Sequence, residues 1–241
     1  MDYGLQLYSV RDQMKENMEE TLSAVAALGY KAVEFAGFFG QDAETVAAWL
    51  KKYGLRVSGT HTGAGELTPD KLEETIAYHK AIGNKNIIIP GHDTSTKEKL
   101  DAFIDLVNDV QPKLAAAGIN LGYHNHSHEF LLRADGIRVH DELWNRTNMF
   151  FEIDTYWAYV AGRDPVAMLK EKAARVPVIH LKDGDLCHVG KSLGEGFAPV
   201  SAVRETAKAL GMYMVVESEG QQPDGLSEVG RCIRYLAELE K

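Results

Sequence analysis

Four polar segments stand where apolar, strand-like runs end, and their residue types could together bind one divalent metal ion. They are residues 123–129, 152–154, 180–183 and 217–219. Successive segments lie roughly one strand and one helix apart, which is the repeat of a (β/α) barrel. Such a barrel gathers the carboxyl ends of its strands at one face. Carboxylates and imidazoles gathered there would form a metal site flanked by groups that can carry protons.

Each segment holds two chemically useful side chains that are two residues apart. The pairs are His124 and His126, Glu152 and Asp154, His180 and Lys182, and Glu217 and Glu219. Because side chains alternate along a strand, both members of a pair project in the same direction. We expect the first member to point into the barrel mouth and the second to reach over it. Glu152 is interpreted as a residue that supports its neighbours or forms an ion pair.

The composition is that of an ordinary globular protein, with 45% hydrophobic and 25% charged residues. The formal net charge of −9 argues against a protein that binds the phosphate backbone of nucleic acids, which needs a basic face. Two cysteines are too few for a disulfide framework. No apolar stretch reaches membrane-spanning length, and no secretory signal pattern opens the chain. We therefore expect a soluble, cytoplasmic protein without nucleic-acid or membrane partners.

A repeated glycine pattern indicates the elements that position the polar segments. Five segments with helical periodicity end in a glycine that directly precedes an apolar run, at Gly29, Gly54, Gly83, Gly118 and Gly211. Glycine ends helices because it adopts the left-handed conformation at little steric cost. The expected strands are residues 4–8, 32–35, 56–59, 86–89, 120–123, 149–153, 176–179 and 212–216. Short apolar runs of this kind are typical of parallel strands covered by helices.

Helical periodicity between these strands predicts helices over residues 18–28, 72–82 and 100–114. Thr68 followed by Pro69 reads as a helix start. Strict alternation of strand and helix through residues 1–241 favours an α/β fold with one closed (β/α)8 TIM barrel, a single catalytic domain, over a doubly wound sheet.

The motifs as a set resemble those of the sugar phosphate isomerase/epimerase superfamily, which has the xylose isomerase-like TIM barrel. The resemblance is carried by residues 122–126 with 129–130, then 154–157, 162–165, 180–183, 194–196 and 216–217. It covers essentially the whole chain. The resemblance implies a divalent ion held by Glu, Asp, His and Glu from four successive strand ends. It also implies that the protein could form homo-oligomers.

Three of the implied ligands match by position, namely Asp154, His180 and Glu217. For the first ligand, His124 stands where many relatives have glutamate, and the nearest glutamate is Glu129. Either His124 replaces the carboxylate, or Glu129 reaches back and His126 is left free as an acid or base. We favour the second interpretation. The ligand set suits Mn²⁺ best, with Mg²⁺, Co²⁺ or Zn²⁺ as alternatives.

The implied reaction removes a proton from the carbon next to a carbonyl group, through a metal-stabilised enediolate. We expect Glu217 to act as the base, with His126 or Glu129 returning the proton. Lys182 is the candidate to hold the oxyanion. Candidate contacts to a small carbohydrate substrate are His61, His124, Trp157, Glu34 and Tyr8.

Two enzyme classes begin with this step. The first hypothesis is an isomerase or epimerase of a sugar or keto-sugar. The alternative is a lyase that performs β-elimination on a 3-keto-glycoside or dehydrates a keto-inositol. A DNA-repair endonuclease would need more histidines and a basic groove, and a sugar-binding protein on an inactive barrel would not need the three matched ligands.

Overall fold

Eight parallel strands close into a barrel in the computed structural model, which describes residues 1–241. These strands are β1 (Gly4–Gln6), β2 (Ala32–Phe35), β3 (Arg56–His61), β4 (Asn86–Ile89), β5 (Asn120–His124), β6 (Phe150–Asp154), β7 (Val178–Leu181) and β10 (Tyr213–Val216). Around the barrel the order is β1, β2, β3, β4, β5, β6, β7 and β10, and β10 pairs with β1 to close the ring. Two further strands, β8 (Asp183–Gly184) and β9 (Gly190–Lys191), form an antiparallel hairpin after β7.

Helices follow most of the barrel strands. The α-helices are α1 (Arg11–Glu16), α2 (Met18–Leu28), α3 (Ala43–Tyr53), α4 (Leu72–Ala81), α5 (Lys97–Ala116), α6 (Val139–Arg146), α7 (Thr155–Val160), α8 (Pro165–Lys172), α9 (Val200–Leu210) and α10 (Gly225–Glu238). Short 3-10 helices span Leu7–Val10, Ala64–Leu67, His128–Phe130 and Ala173–Arg175. None of the helices is both long enough and apolar enough to cross a membrane.

The predicted (β/α)8 TIM barrel is confirmed, and so are the glycines that end its helices. Gly29, Gly54 and Gly211 are left-handed caps of α2, α3 and α9, with φ of 109°, 65° and 71°. Gly83 and Gly118 also have positive φ. In each case the chain turns from a helix into the next strand at a residue without a Cβ, as the sequence pattern requires.

The predicted helix start at Thr68 is wrong. Helix α4 begins at Leu72, and its N-cap residue Lys71 makes no side-chain cap. The Thr68 hydroxyl instead donates to the carbonyl of Gly65 at 3.2 Å. The Thr68 backbone carbonyl accepts the N–H groups of Lys71 and Leu72. The capping residues therefore build a turn that precedes the helix.

Most barrel strands are buried on both faces, as parallel strands under a helical layer should be, whereas β3 has only Gly59 and Thr60 buried. Strands β2 and β7 contain only buried residues. The continuous hydrophobic core comprises 51 buried residues. At the carboxyl ends of β2, β5, β6, β7 and β10, however, buried positions are occupied by carboxylates and imidazoles. These polar positions mark the functional end of the barrel.

Candidate active site

Four side chains at successive strand ends converge on one point. They are His124 from β5, Asp154 from β6, His180 from β7 and Glu217, which follows β10. One potential ligand atom from each lies within 4.8 Å of the others, and these four residues form the ligand group. His124 Nε2 lies 3.6 Å and His180 Nδ1 lies 3.9 Å from Asp154 Oδ2. His180 Nδ1 lies 3.3 Å from Glu217 Oε2. All four side chains are almost completely buried.

The hydrogen bonding of this group fits a bound cation. Both ring nitrogens of His124 are buried without a hydrogen-bond partner, and so is Asp154 Oδ2. An unpartnered buried polar group costs roughly 1–3 kcal/mol, so such atoms are rare in folded proteins. A divalent ion between the four side chains would satisfy one His124 nitrogen and Asp154 Oδ2. Burial, with the neighbouring imidazoles of His180 and His61, holds the pKa of His124 well below its ordinary value, so His124 is the neutral imidazole that metals bind.

Asp154 combines the two roles that its sequence position allows. Its Oδ1 accepts the Trp157 N–H at 2.9 Å and caps α7, while Oδ2 points to the ligand group. The Asn125 side chain bonds both the backbone N–H and the backbone carbonyl of Asp154, which fixes the end of β6 against β5. Burial raises the pKa of Asp154 to about 6, although the Lys182 ammonium opposes the shift. A bound cation would favour the ionised form.

A second polar layer beneath the ligand group orients His180. Its Nε2 lies 2.8 Å from Glu34 Oε1 and 3.2 Å from Glu152 Oε2, so Nδ1 faces Asp154 and Glu217. Gln6 donates to Glu34 at 2.7 Å. Carboxylates that hold the remote nitrogen of a histidine are typical partners of metal-binding imidazoles. We therefore interpret Glu34 and Glu152 as groups that set the orientation and tautomer of His180.

His61 lies in the same layer. Its Nε2 is 3.0 Å from Glu152 Oε2 and 3.2 Å from Glu34 Oε1. Burial and the adjacent Glu152 carboxylate raise the pKa of Glu34 to about 7. The structure thus brings Glu34 and His61 together below the ligand group. Of the two, only His61 also lines the cavity at the barrel mouth.

Lys182 occupies the gap between the ligand group and Glu219. Its ammonium is 3.0 Å from Glu217 Oε2 and 3.7 Å from Asp154 Oδ2, and it also pairs with Glu219. Burial alone would lower the pKa of Lys182, but the surrounding carboxylates outweigh it and raise the pKa above its ordinary value. The Lys182 ammonium and His180 hold the pKa of Glu217 well below its ordinary value, although burial opposes the shift. Glu217 is therefore an ionised carboxylate.

Glu129 lies outside the ligand group. Its fully buried carboxylate accepts the Tyr123 hydroxyl at 3.0 Å and the His126 backbone N–H at 2.9 Å. These contacts turn it toward the loop after β5, and they hold that loop in the conformation that presents His126. The structure places His124, and not the Glu129 favoured from the sequence, beside Asp154, His180 and Glu217.

An open cavity of about 450 Å³ lies over this group at the barrel mouth. It is lined by Tyr8, Ala36, Gly37, His61, Pro90, His124, His126, Glu217 and Glu219. Burial lowers the pKa of His126 to about 4, so at neutral pH its imidazole is neutral and able to accept a proton. Trp157 packs its ring over the Lys182 ammonium at 4.6 Å and beside His126 at 5.8 Å. Trp157 itself is not among the residues that line the cavity; of its two neighbours, only His126 lines it.

Two residues at this site were named from the sequence only as members of the two-residue pairs, and neither was assigned there as a ligand, catalytic group or substrate contact. Glu152 contacts both His61 and His180, and Glu219 pairs with Lys182 and lines the cavity. Each lies two residues from a matched ligand on the same strand or its extension. The two-residue periodicity of strands was the available signal for both.

Comparisons with known proteins agree with the barrel fold. A family model described as the xylose isomerase-like TIM barrel matches residues 22–238. The inosose dehydratase of Geobacillus kaustophilus (strain HTA426) is 26% identical over 189 residues, which are 68% of this chain and 61% of that protein. The inosose dehydratase of Clostridium botulinum (strain Alaska E43 / Type E3) is 24% identical over 71% of this chain and 65% of its own length. The chain therefore spans less than two thirds of the length of these curated relatives.

Among solved structures, a sugar phosphate isomerase/epimerase from Parabacteroides distasonis ATCC 8503 superposes with a TM-score of 0.85. It shares 25% identity, and the match covers 98% of this chain and 97% of that one. The family model covers most of the chain, and the barrel it describes is the one observed. This chain belongs to the family with the xylose isomerase-like TIM barrel.

Proposed function

We propose that this protein is a divalent-metal-dependent enzyme that removes the proton next to the carbonyl group of a small keto-sugar or keto-inositol. The observation that carries the proposal is the buried convergence of His124, Asp154, His180 and Glu217, whose unpartnered atoms fit a cation. Two imidazoles and two carboxylates form a set that Mn²⁺, Co²⁺ and Zn²⁺ accept, and Mn²⁺ is our first choice. The ion, when bound, supplies positive charge that stabilises negative charge developing on a carbonyl oxygen.

His126 and Glu217 are the groups that would handle the proton. Both line the cavity, one after β5 and the other after β10, and β6 and β7 separate these strands around the barrel. Neutral His126 and ionised Glu217 can each accept a proton from the substrate carbon, whose electron pair moves to the carbonyl oxygen. Lys182 is buried beneath Glu219, so we assign it to positioning Glu217 by the ion pair at 3.0 Å. Tyr8 and His61 would contact substrate hydroxyls from the cavity wall.

The fate of the proton separates the two candidate reactions. In isomerisation or epimerisation, the proton returns to a carbon atom. In elimination, the carbon–oxygen bond next to the deprotonated carbon breaks, and the leaving oxygen takes the proton. The curated relatives named inosose dehydratase favour elimination as the second candidate.

Exchange with solvent tests the common step. The Mn²⁺-loaded enzyme, incubated in D₂O with a panel of keto-sugars, should incorporate deuterium at the carbon next to the carbonyl. Mass spectrometry of the same mixtures separates the two reactions. Isomerisation or epimerisation changes the mass only by the incorporated deuterium, whereas elimination gives a product that has lost water or an alcohol. If substrate is consumed while the neighbouring C–H bond retains its hydrogen, the proposed reaction is wrong.

A further inference from the structure

Lys182 brings a positive charge to the place where the metal ion would bind. Its side chain is only 1% exposed, and its ammonium lies 3.0 Å from Glu217 Oε2 and 3.7 Å from Asp154 Oδ2. Both carboxylates belong to the ligand group, so the ammonium and a divalent cation would share them. Because water is largely excluded there, the two cations repel each other with little screening. A further negative charge beside the ammonium would relieve this conflict.

Glu219 is placed to supply that charge. Its carboxylate pairs with the Lys182 ammonium, and its side chain is 28% exposed and lines the cavity. Glu219 is not a member of the ligand group. The ionised carboxylates of Asp154 and Glu217 balance a divalent cation, and Glu219 then balances Lys182. Without Glu219, the loaded site would hold one uncompensated positive charge, which is costly where water is excluded.

The segment that carries Glu219 lies beyond the end of β10. The Glu217 N–H still bonds the carbonyl of Leu181 at 3.0 Å, as in the strand ladder. The next N–H group, that of Ser218, donates instead to the Ser9 hydroxyl at 3.0 Å. Since side chains alternate along an extended segment, Ser218 points away from the cavity that Glu217 and Glu219 line. The position of Glu219 therefore depends on contacts outside the sheet.

Glu228 of helix α10 provides most of these contacts. Its carboxylate is buried and accepts the N–H groups of Gly220 at 3.0 Å and Gln222 at 2.7 Å, and it also accepts the Ser218 hydroxyl. A Cβ on Gly220 would lie 2.5 Å from the Gly190 carbonyl oxygen and 2.9 Å from Glu228 Oε2. The segment is thus packed between Glu228 and the β8–β9 hairpin, with no room for a side chain at Gly220.

We propose that Glu219 is a positioning residue of the metal site, which neutralises Lys182 so that the ammonium can hold Glu217 without excluding the metal ion. Glu219 provides no ligand atom, and Glu228 keeps it in place through the segment that follows β10. This inference rests on the proposed function, because it assigns a divalent cation to the ligand group.

A double-mutant cycle in Mn²⁺ affinity tests whether Glu219 acts through Lys182. The Kd of Mn²⁺ is measured by isothermal titration calorimetry on metal-stripped protein. We expect Glu219→Gln to raise the Kd by roughly tenfold or more, as substitutions around metal ligands do. In the Lys182→Met background, the same substitution should change the Kd by less than about twofold, because no ammonium remains to be neutralised.

The possible failures of this cycle can be told apart. An unchanged Kd in Glu219→Gln would overturn the proposal. An equal loss of affinity in both backgrounds would also overturn it, because Glu219 would then act on the cation directly. If the wild type binds no Mn²⁺, the metal site itself is wrong, and the proposed function fails with it.

Glu228→Gln tests the second part of the proposal and covers the case in which Lys182→Met fails to fold. The amide has one acceptor oxygen in place of two, so at least one of the three donors loses its bond. We expect a Kd for Mn²⁺ that is at least about threefold higher. Ser218→Ala removes one of the same bonds without a change of charge and should raise the Kd in the same direction. A rise in Glu228→Gln alone would mean that charge, and not position, is responsible, and would overturn the role of Glu228.

Tyr30→Phe is the matched structural control. The Tyr30 hydroxyl donates to the carbonyl of Val229, the residue after Glu228 on α10, at 2.9 Å. The substitution therefore removes a buried hydrogen bond from the same helix without touching the segment that carries Glu219. It should leave the Kd for Mn²⁺ unchanged. Equal weakening in Tyr30→Phe and Glu228→Gln would contradict the positioning role.

Discussion

Replacing His124 by leucine should leave the metal-free protein at least as stable as the wild type, and should make the variant the less stable of the two when Mn²⁺ is present. Both nitrogens of the buried His124 ring lack a partner without metal, and each such atom costs roughly 1–3 kcal/mol. Leucine removes that cost, while an apolar replacement of similar size costs less than about 1.5 kcal/mol in repacking. We therefore expect metal-free His124→Leu to be at least as stable as the wild type.

Metal should change this order. At a free Mn²⁺ concentration of 100 Kd, the wild type gains about 2.7 kcal/mol of stability. For a domain of this length, that free energy corresponds to a rise in Tm of roughly 5–10 °C. His124→Leu lacks one of the four ligands and should gain little at the same concentration. With Mn²⁺, the wild type should therefore become the more stable protein.

Thermal unfolding followed by circular dichroism, in EDTA and in Mn²⁺, measures the stability of each metal-free protein and its gain in stability with metal. The matched control is His140→Leu, because His140 is also buried with an unpartnered Nε2 but is absent from the ligand group. Its metal-dependent shift in Tm should equal that of the wild type. A His124→Leu variant that is strongly destabilised in EDTA and keeps the full metal-dependent shift would refute the reasoning.

Three further results are expected. Glu217→Gln should lower kcat by at least about 10²-fold in steady-state assays, because the variant loses a cavity carboxylate that can accept a proton; near-normal turnover would remove Glu217 from the reaction. Lys182→Met should lower the free energy of unfolding of the metal-free protein by roughly 3–5 kcal/mol in urea titrations, because Glu217 and Asp154 lose a buried cation; a change below about 1 kcal/mol would show that the ion pairs contribute little. Burial lowers the pKa of His79 to about 4, so the unfolded chain binds a proton first as the pH falls below about 6.5. Stability should accordingly fall by up to about 3 kcal/mol between pH 6.5 and 4 from this group, and His79→Gln should have the shallower pH profile; an equal profile would contradict the assignment.

The local parts of the fold were predictable because they depend on short stretches of sequence. Strand β2 and strand β4 have the predicted bounds, and α2 spans the predicted residues 18–28. The strand expected over residues 176–179 begins instead at Val178, after Pro177. Proline has no backbone N–H for a strand ladder. Only the Pro177 carbonyl is used, and it accepts the Tyr213 N–H at 2.8 Å.

The site was predictable where it follows from strand periodicity. Glu152 and Asp154 both reach His180, the first from below at Nε2 and the second at Nδ1. His124 and His126 likewise lie on one side, with ring centroids 5.0 Å apart. In both pairs the side chains two residues apart point to the same face of the strand, because successive side chains alternate between its two faces.

The choice between His124 and Glu129 could not be made from the sequence. The direction of the Glu129 carboxylate depends on the 3-10 turn His128–Phe130 and on the Tyr123 hydroxyl that it accepts. Glu34, His61 and Glu152 were each named from the sequence, but their contacts with one another could not be predicted from it. They lie on three different strands, and their contacts follow from barrel closure.

The central claim is that His124, Asp154, His180 and Glu217 hold one divalent cation. Anomalous diffraction at the manganese edge, from crystals grown with Mn²⁺, tests it most directly. Our account predicts one strong peak at the barrel mouth, coordinated by a ligand atom from each of these four residues. The absence of such a peak, or a peak coordinated by Glu129 in place of His124, would contradict it.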